Sequence, residues 1–339
     1  MLCTLAKGGM KSVVEQYQRD GLFDRWSVIF IGTHDVAPLQ KKIALSISAE
    51  FRLIYSLIFD NVSVVHIHAA MRGSFWRKGF YSITALAFRK PVIFHLHGSE
   101  TRQFMGGLNP LFGFFAKTLL GLQTRVVVLS EEWRRFINSV NPAAKIEVLP
   151  NYVNLPKNLA RPKSGEVVTG LFLGQIGVRK GIYDLLPALK EVASTGVNVR
   201  LRLGGDGEVE KARLMASELG VLDRVDFLGW IAGENKVKEL QAADFYILPS
   251  HNEGLPVSIL EAMSYAKPVI STKVGGIPEL IDSNENGILV DSGDVDAIVK
   301  AITSLAKDSE LREIMGERAR STIENKYSSS VVLPRLEAL

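Results

Sequence analysis

The sequence predicts an α/β protein made of two doubly wound domains, each with a parallel sheet. Short apolar runs alternate with longer helical patterns along all 339 residues, which is the order typical of βαβ units. The apolar runs are continuous rather than alternating, as expected for strands covered on both faces. A stretch rich in Pro and Asn at 150–165 interrupts the series, and the chain length suits two domains.

Apolar runs mark the strands of the first half, and the longer patterned stretches between them mark its helices. Only six residues precede Lys7-Gly8-Gly9, and Met1–Leu5 is short for a central strand. We therefore expect the first strand of this half to be missing, through trimming or a misassigned gene start. The predicted strands are 26–31, 62–67, 91–96, 124–129 and 145–149, and the predicted helices lie near 10–20, 41–59, 74–89, 108–121 and 131–139.

The second half repeats the same alternation after the pause in the pattern. We predict an N-terminal domain over 1–155, a linker over 156–165 and a C-terminal domain over 166–325, followed by a tail over 326–339 that returns to the N-terminal domain. The predicted strands are 167–173, 198–203, 225–228, 244–248, 268–271 and 287–290, and the predicted helices lie near 182–195, 208–219, 234–242, 257–266, 294–306 and 309–326.

Composition excludes several classes of protein. Hydrophobic residues make up 47% and charged residues 22%, which rules out disorder, collagen and a small disulfide scaffold. Cys3 is the only cysteine, so an internal disulfide and a thiolate metal site are excluded as well. Phe104–Leu122 is the most apolar long stretch, but four glycines and a proline interrupt it. This pattern suits a packed helix better than a membrane span, and we expect a cytoplasmic protein.

Charge is distributed unevenly between the two halves. The first 160 residues carry 19 Lys/Arg and 10 Asp/Glu, whereas the whole chain has a net charge of only +4. The surplus indicates an anionic partner for the first half. Its densest part mixes bases with aromatic residues, which predicts either a solvated helix face or contact with acidic lipid headgroups at a membrane. Nucleic acid is not expected as a partner, because no nucleic-acid-binding motif accompanies the cluster. This cluster contains Arg72, Phe75, Trp76, Arg77, Lys78, Phe80, Tyr81, Arg89 and Lys90.

Ligands of open α/β sheets bind beyond the carboxyl ends of the strands, so the residues that follow each strand are the site candidates. With two sheets, the expected site is the cleft between the domains. Gly174–Gly181 follows the strand 167–173 and contains three glycines, Arg179 and Lys180 just before a helix. Backbone amides and a cation there suit a phosphate, although an ordinary turn explains the pattern too. The glycine-rich turn Gly204–Gly207 allows the same two interpretations.

The most informative segment is Pro249–Glu261, which follows the strand 244–248. Pro256 suits the first turn of a helix, so Glu253 lies in the loop and Glu261 within the helix. An apolar neighbourhood surrounds Glu261, and a carboxylate there needs hydrogen-bond donors, which sugar hydroxyls would supply. The amides around Gly254 could hold a diphosphate at the helix start. The alternatives are a helix-start carboxylate for Glu253 and a buried ion pair for Glu261.

Strand ends of the first half offer weaker candidates. Gly8-Gly9 precedes a helix, and His97 stands before Gly98 at a strand end, which makes it a better site candidate than the other strand-end histidines. No acidic third ligand is apparent near His95 and His97, so we expect no metal. The triplet Asp294-Val295-Asp296 opens a predicted helix, and we assign it to helix capping.

Taken together, these segments resemble the signature of glycosyltransferase family four, the group-one glycosyl transferases. The resemblance rests on Glu253 and Glu261 in an E-x7-E arrangement, on Lys267–Glu279, on Gly204–Gly207 and on Val225–Gly229. It covers about residues 165–325 closely and the first half more loosely. It implies a GT-B fold with two Rossmann-like domains, the donor in the C-terminal domain and the acceptor in the N-terminal domain. It also implies a retaining transfer from a nucleotide-sugar such as a UDP- or GDP-sugar, with no required metal or other cofactor.

The resemblance also assigns roles to individual residues. Lys180 would neutralise the donor diphosphate, Glu253 would contact the transferred sugar, and Glu261 would hold the ribose. His97 and Gly9 would face the reacting centre from the other domain. The catalytic residues implied are thus Glu253, His97 and Lys180. The donor-binding residues implied are Gly9, Gly174, Gln175, Arg179, Lys180, Gly205, Gly254, Leu255, Pro256 and Glu261.

One residue of this chain departs from the family pattern, and three functions remain open. Gln175 stands where family members commonly carry a phosphate-binding Arg, so leaving-group stabilisation falls to Lys180 and the helix-start amides, and Arg179, four residues further on, is the side chain that could substitute for the absent Arg. The favoured function is transfer of a sugar to a lipid-linked or polysaccharide acceptor in cell-surface glycan synthesis, peripherally at the inner membrane face. The alternatives are a nucleotide-sugar 2-epimerase and a non-catalytic nucleotide-sugar binder.

Overall fold

The computed structural model describes residues 1–159 and 167–339, so most of the predicted linker, from residue 160 to 165, lies outside the described residues. Within them the chain forms two compact units, Met1–Asn151 with Val332–Leu339, and Tyr152–Val331. Each unit contains a six-stranded sheet whose strand pairs are all parallel. The predicted α/β class with two parallel sheets is confirmed.

The sheet of the first unit has the strand order β2-β1-β3-β4-β5-β6. Its strands are buried apolar runs, as required for a parallel sheet covered by helices. The strands are β1 Leu2–Cys3, β2 Ile31–Gly32, β3 Val65–Ala69, β4 Val92–Leu96, β5 Arg125–Val128 and β6 Ile146–Val148. The helices are α1 Gly9–Arg19, α2 Leu22–Arg25, α3 Leu39–Phe59, α4 Gly73–Ala87, α5 Thr101–Gly106, α6 Pro110–Leu122 and α7 Glu131–Val140.

The first strand is present, against expectation. Leu2–Cys3 lies in the sheet between β2 and β3, with Leu2 paired to both Ile31 and Ile67. Both residues are fully buried, and the Met1 amino group donates a hydrogen bond to the Ile29 carbonyl at 2.7 Å. Two residues suffice because pairing on both sides fixes a strand that could not hold on one side alone.

The second unit has the strand order β12-β11-β10-β7-β8-β9. Its strands are β7 Val168–Leu173, β8 Val199–Gly204, β9 Val225–Gly229, β10 Phe245–Leu248, β11 Val269–Thr272 and β12 Gly287–Val290. Its helices are α8 Ile182–Ser194, α9 Val209–Glu218, α10 Gly233–Ala242, α11 Val257–Ser264, α12 Ile277–Leu280, α13 Val295–Lys307 and α14 Ser309–Thr322. A π-helical turn at Ile323–Tyr327 extends α14, and α15 Ser329–Glu337 ends the chain.

A second strand of the first unit also differs from the sequence prediction. The predicted strand 26–31 shrinks to Ile31–Gly32, because Leu22–Arg25 forms a short helix and Ser27 turns the backbone at φ +47°. The last residues, Val332–Leu339, pack with the first unit, where Arg335 donates to the Val148 carbonyl at 2.7 Å. Asp294 accepts a hydrogen bond from the Ala297 amide at 2.9 Å, the capping role expected of it. None of the helices in 1–159 and 167–339 is long and apolar enough to cross a bilayer.

Candidate functional site

The carboxyl edge of the second sheet gathers the loops that the sequence singled out. β7 and β10 are neighbours, but the chain leaves β7 toward β8 on the opposite side from β10. Such a reversal of strand order opens a crevice between the two loops that follow these strands. The loops meet directly here, since the His251 amide donates to the Arg179 carbonyl at 2.9 Å.

The central contact of this crevice is an ion pair between Lys180 and Glu253. The Lys180 Nζ lies 2.5 Å from Glu253 Oε1, and the Ser250 hydroxyl donates to the same oxygen at 2.7 Å. The two ionised side chains are only 12% and 7% exposed. A carboxylate this deeply buried needs such donors, so each partner holds the other in place. Lys180 and Glu253, predicted from separate loops, are therefore brought together.

Close backbone contacts explain the glycines of these loops. Gly181 has φ +73°, and a Cβ on it would come within 1.9 Å of the Pro249 carbonyl oxygen. A Cβ on Gly205 would come within 1.8 Å of the Gly174 carbonyl oxygen. Only glycine permits such an approach, so the loops after β7, β8 and β10 form one packed layer. Gln175 and Arg179 are exposed on this layer.

Glu261 lies within α11, as the sequence predicts, but it has a protein partner. The Lys236 Nζ, from α10, is 2.5 Å from Glu261 Oε1, and the two side chains are 31% and 23% exposed. Of the two interpretations open from the sequence, the ion pair is the one that the structure shows. Pro256 caps α11, and Gly254, Leu255 and Pro256 are all buried directly before it.

Sequence reasoning missed three polar groups of this unit. Ser250 binds Glu253, as described above, and His251 links α8 to the loop after β12 by contacts to Asp184 at 2.7 Å and to Ser292 at 2.8 Å. Lys236 pairs with Glu261. A signal existed for Ser250 and His251, because both lie within three residues of the end of a buried strand. Lys236 lies in the middle of a helix and carried no such signal.

The candidates of the first unit also lie at the carboxyl edge of their sheet. Gly9 is the first residue of α1, and His97 directly follows β4. The His97 Nε2 is 2.8 Å from the His68 Nδ1, which leaves the Nδ1 of His97 as its second polar atom. This hydrogen bond fixes the ring of His97, so His68 is a further residue that the sequence did not single out.

His97 is one of four stacked histidines, of which two lie on β3, one lies on β4 and His97 itself directly follows β4. Neighbouring rings lie 4.1 to 5.0 Å apart along His66, His68, His97 and His95. Burial, with smaller effects of nearby positive groups, lowers the pKa of both His66 and His97 to about 3. It holds the pKa values of His68 and His95 well below their usual range as well. All four rings are therefore neutral near pH 7.

Three of these histidines also come close enough to suggest a metal site. One ring nitrogen each from His66, His68 and His95 lies within 4.8 Å of the others. The rings are stacked at interplanar angles of 6° to 31°. The lone pairs of an imidazole lie in its ring plane, so stacked rings do not aim them at a common point. The arrangement suits packing, and metal independence remains a prediction.

The fold divides the basic and aromatic cluster of the first half between core and surface. Lys78, Phe75 and Tyr81 are at most 1% exposed, whereas Arg72 and Phe80 face outward. Burial lowers the pKa of Lys78 to about 7, so this amine cannot serve as a permanent surface charge. Helix periodicity sends some members of the cluster into the core, and contact of its exposed members with lipid headgroups stays a prediction.

Comparison with known proteins decides the family. The family model described as Glycosyltransferase Family 4 matches residues 5–157, and that described as Glycosyl transferases group 1 matches residues 156–322. The capsular polysaccharide biosynthesis glycosyltransferase CapM of Staphylococcus aureus is 32% identical over 90% of this chain and 83% of its own length. The chain belongs to the group 1, family 4 glycosyltransferases. Its resemblance to this family, drawn from the motifs around Glu253 and Glu261, is confirmed.

Further relatives of this glycosyltransferase agree on family and fold. The N-acetyl-alpha-D-glucosaminyl L-malate synthase of Bacillus anthracis is 26% identical over 83% of this chain and 74% of its own length. The structure of Anabaena HepE in complex with UDP and glucose has a TM-score of 0.76 at 17% identity, covering 99% of this chain and 97% of that one. Sucrose-phosphate synthase from Thermosynechococcus elongatus has a TM-score of 0.77 at 20% identity, covering 91% and 80%. The expected GT-B fold class is thereby confirmed.

Proposed function

We propose that this glycosyltransferase moves a sugar, with retention of anomeric configuration and without a metal, from a UDP- or GDP-sugar to a lipid-linked or polysaccharide acceptor of the cell surface. The observation that carries the proposal is the buried Lys180–Glu253 pair at the point where the second sheet reverses its strand order. A cation and a carboxylate lie side by side in this pair, and we expect the cation to bind a diphosphate and the carboxylate to bind sugar hydroxyls.

The leaving group of this reaction is a nucleoside diphosphate, so negative charge develops on its β-phosphate. Lys180 lies immediately before Gly181 and α8, where its ammonium can reach a phosphate held at the loop after β7. A preorganised cation in a crevice of low dielectric stabilises such charge strongly. Arg179 and Gln175 are exposed on the same loop and would contact the phosphates from the solvent side.

Glu253 would change partners when the donor binds. A diphosphate draws Lys180 away, and the Glu253 carboxylate then accepts hydrogen bonds from the hydroxyls of the transferred sugar, with Ser250 retained as a donor. Glu261 would exchange Lys236 for the ribose hydroxyls in the same way. Both exchanges keep each carboxylate, the buried one of Glu253 and the partly exposed one of Glu261, supplied with donors, which makes them energetically accessible.

No protein nucleophile is required by this scheme. The leaving phosphate takes the proton of the acceptor hydroxyl as the new glycosidic bond forms on the same face of the sugar. His97, neutral because of its burial and oriented by His68, would hydrogen-bond to a substrate. Gly9, at the start of α1, has no neighbouring atom within 4 Å of a Cβ position and would leave space for a substrate.

The relatives support the donor and acceptor classes. HepE was solved with UDP and glucose, and CapM is named for capsular polysaccharide biosynthesis. A relative from Mycobacterium tuberculosis, 28% identical over 60% of this chain, is named as a GDP-mannose-dependent phosphatidylinositol monomannoside mannosyltransferase. For this chain we propose a membrane-associated acceptor and a peripheral position on the inner face of the membrane.

A combined binding and turnover assay tests the proposal. The protein is screened by thermal shift against UDP- and GDP-sugars, and the stabilising donor is then incubated with membrane extract and the protein. We expect one nucleotide class to raise the melting temperature and a glycosylated lipid or glycan to form. An epimerised donor, or binding with no turnover on any extract, would contradict the proposal in favour of the epimerase or the non-catalytic binder.

A further inference from the structure

Three helices of the first unit expose an unusually apolar outer surface. The side chains of Phe51 on α3, Phe80 on α4 and Phe115 on α6 are exposed, at 68%, 59% and 50%. Ile47 and Ile83 are half exposed beside them. Single exposed apolar residues are common, but a large contiguous set marks an interaction site.

Side-chain contacts make these three helices one continuous layer. Tyr81 of α4 bonds to Ser46 of α3 at 2.8 Å. Gln123, at the end of α6, donates to Ser82 of α4 at 3.2 Å, and the rings of Trp76 and Phe112 meet edge to face. The outward residues of α3, α4 and α6 therefore share one surface, which we call the three-helix face.

An apolar groove extends this face along α3. It has a volume of about 930 Å³ and is lined by residues that include Ile29, Ile47, Phe51 and Tyr55. This groove lies between α3 and the edge strand β2, and it is large enough to accept part of a hydrocarbon chain.

The charges of the three helices indicate which kind of partner binds the three-helix face. Glu50 is their only acidic residue, and it accepts a hydrogen bond from Thr84 at 2.5 Å. Lys41, Arg52 and Lys117 are exposed on the same helices. Pairing with a second copy of this chain would bring like charges together without acidic partners, whereas an anionic lipid surface complements them.

We propose that the three-helix face lies flat on an anionic lipid bilayer, with its aromatic side chains among the acyl chains and its basic side chains among the headgroups. The inference rests on the proposed function, because a lipid-linked acceptor would then be presented next to the same unit. An apolar face of this kind inserts only to the level of the headgroup and acyl boundary, and no spanning helix is needed.

Vesicle sedimentation with the full chain and no sugar donor tests this inference. Phosphatidylcholine vesicles are compared with and without phosphatidylglycerol. We expect binding that requires phosphatidylglycerol and weakens with salt. In the variant Lys41→Gln/Arg52→Gln/Lys117→Gln, each lost charge should weaken binding by about fivefold. The variant Phe51→Gln/Phe80→Gln/Phe115→Gln should weaken it by about tenfold or more.

Matched controls lie in the second unit. Lys190→Gln/Lys238→Gln/Lys307→Gln removes three exposed lysines and Leu214→Gln removes an exposed leucine, and both should bind vesicles as the wild type does. Equal binding to neutral vesicles, equal losses in the controls, or a dimer in sedimentation velocity that these same substitutions dissolve would overturn the inference. Nucleotide-sugar binding is measured separately on each variant, so failure here is distinguishable from failure of the transferase proposal.

Discussion

At the scale of single residues, Lys180 and Glu253 illustrate how a site can be stable before its ligand arrives. Each would be a costly buried charge alone, and in the 2.5 Å pair each satisfies the other. The sequence placed both residues at strand ends, but it could not show that they pair. Their contact depends on the adjacency of β7 and β10, which are more than 70 residues apart in the chain.

Lys180→Ala should weaken both donor binding and turnover, because it removes the cation proposed to hold the leaving phosphate. We expect a loss of about 100-fold in kcat/KM. Turnover and the Kd for the nucleotide are measured together, with Lys190→Ala, an exposed lysine of the same unit, as the control. Unchanged turnover would remove Lys180 from the phosphate site.

The double variant Lys180→Ala/Glu253→Gln should recover thermal stability without recovering activity, since it no longer leaves a carboxylate unpaired.

Glu253→Gln should separate binding from transfer. The amide keeps the contact with Ser250 but releases Lys180 from its ion pair, so the bare nucleotide diphosphate should bind as well as before or more tightly. The sugar loses its charged acceptor, and kcat should fall by about 100-fold. Isothermal titration with the nucleotide and a transfer assay give the two values. Wild-type transfer would count against the role of Glu253, and loss of nucleotide binding would show that its role is structural.

At the scale of elements, the positions of the long helices and strands were predictable from the sequence, but the short elements were not. Continuous apolar runs located all six strands of the second unit to within about one residue, because burial on both faces leaves a strong signal. The two-residue strand Leu2–Cys3 has no such signal, since its stability comes from neighbours far along the chain. The helices α2, α5 and α12 were missed for a similar reason, as four to six residues carry little periodicity.

The histidines of β3 and β4 should make the first unit sensitive to acid. His66 is neutral when folded, with its pKa lowered to about 3 by burial, but it titrates near its ordinary pKa when unfolded. The unfolded chain therefore binds more protons below about pH 6.5, and stability falls as pH decreases. Between about pH 7.5 and pH 5.5, His66 should contribute a loss of about 1 kcal/mol.

Urea unfolding of the first unit at several pH values measures this loss. His66→Asn should reduce the dependence on pH by that amount. Ile93→Val alters the residue paired with His66 across the strands without changing a titrating group, so it should lower stability equally at each pH. A pH dependence identical in His66→Asn and wild type would contradict the assignment.

At the scale of the whole molecule, site residues that follow strands at one sheet edge could be predicted from the sequence. A contact between side chains of two different helices could not. Gly174, Gly181, Lys180 and Glu253 follow strands and could be found by position. The Lys236 partner of Glu261 sits on a different helix, and its 2.5 Å contact depends on how α10 and α11 pack. The outer apolar face could not be located from sequence either, because burial of Lys78 and Tyr81 separates residues that are neighbours in the chain.

The last eight residues should stabilise the unit that contains the N-terminus rather than the one they follow. Val332, Leu333 and Leu336 are buried within the grouping of Val332–Leu339 with Met1–Asn151, and Glu337 pairs with Arg25 at 2.6 Å. Deleting 332–339 exposes the apolar surface they cover and should cost the first unit roughly 3–6 kcal/mol. The second unit, with Lys180 and Glu253, should still bind the nucleotide with wild-type Kd.

Leu336→Ala should show part of the same loss of stability, about 2–4 kcal/mol, and Leu214→Ala, at an exposed site, should show almost none. Hydrogen exchange resolved along the chain locates the effect. A loss of protection in the second unit instead of the first would contradict the prediction, because the terminal helix would then stabilise the segment that it directly follows.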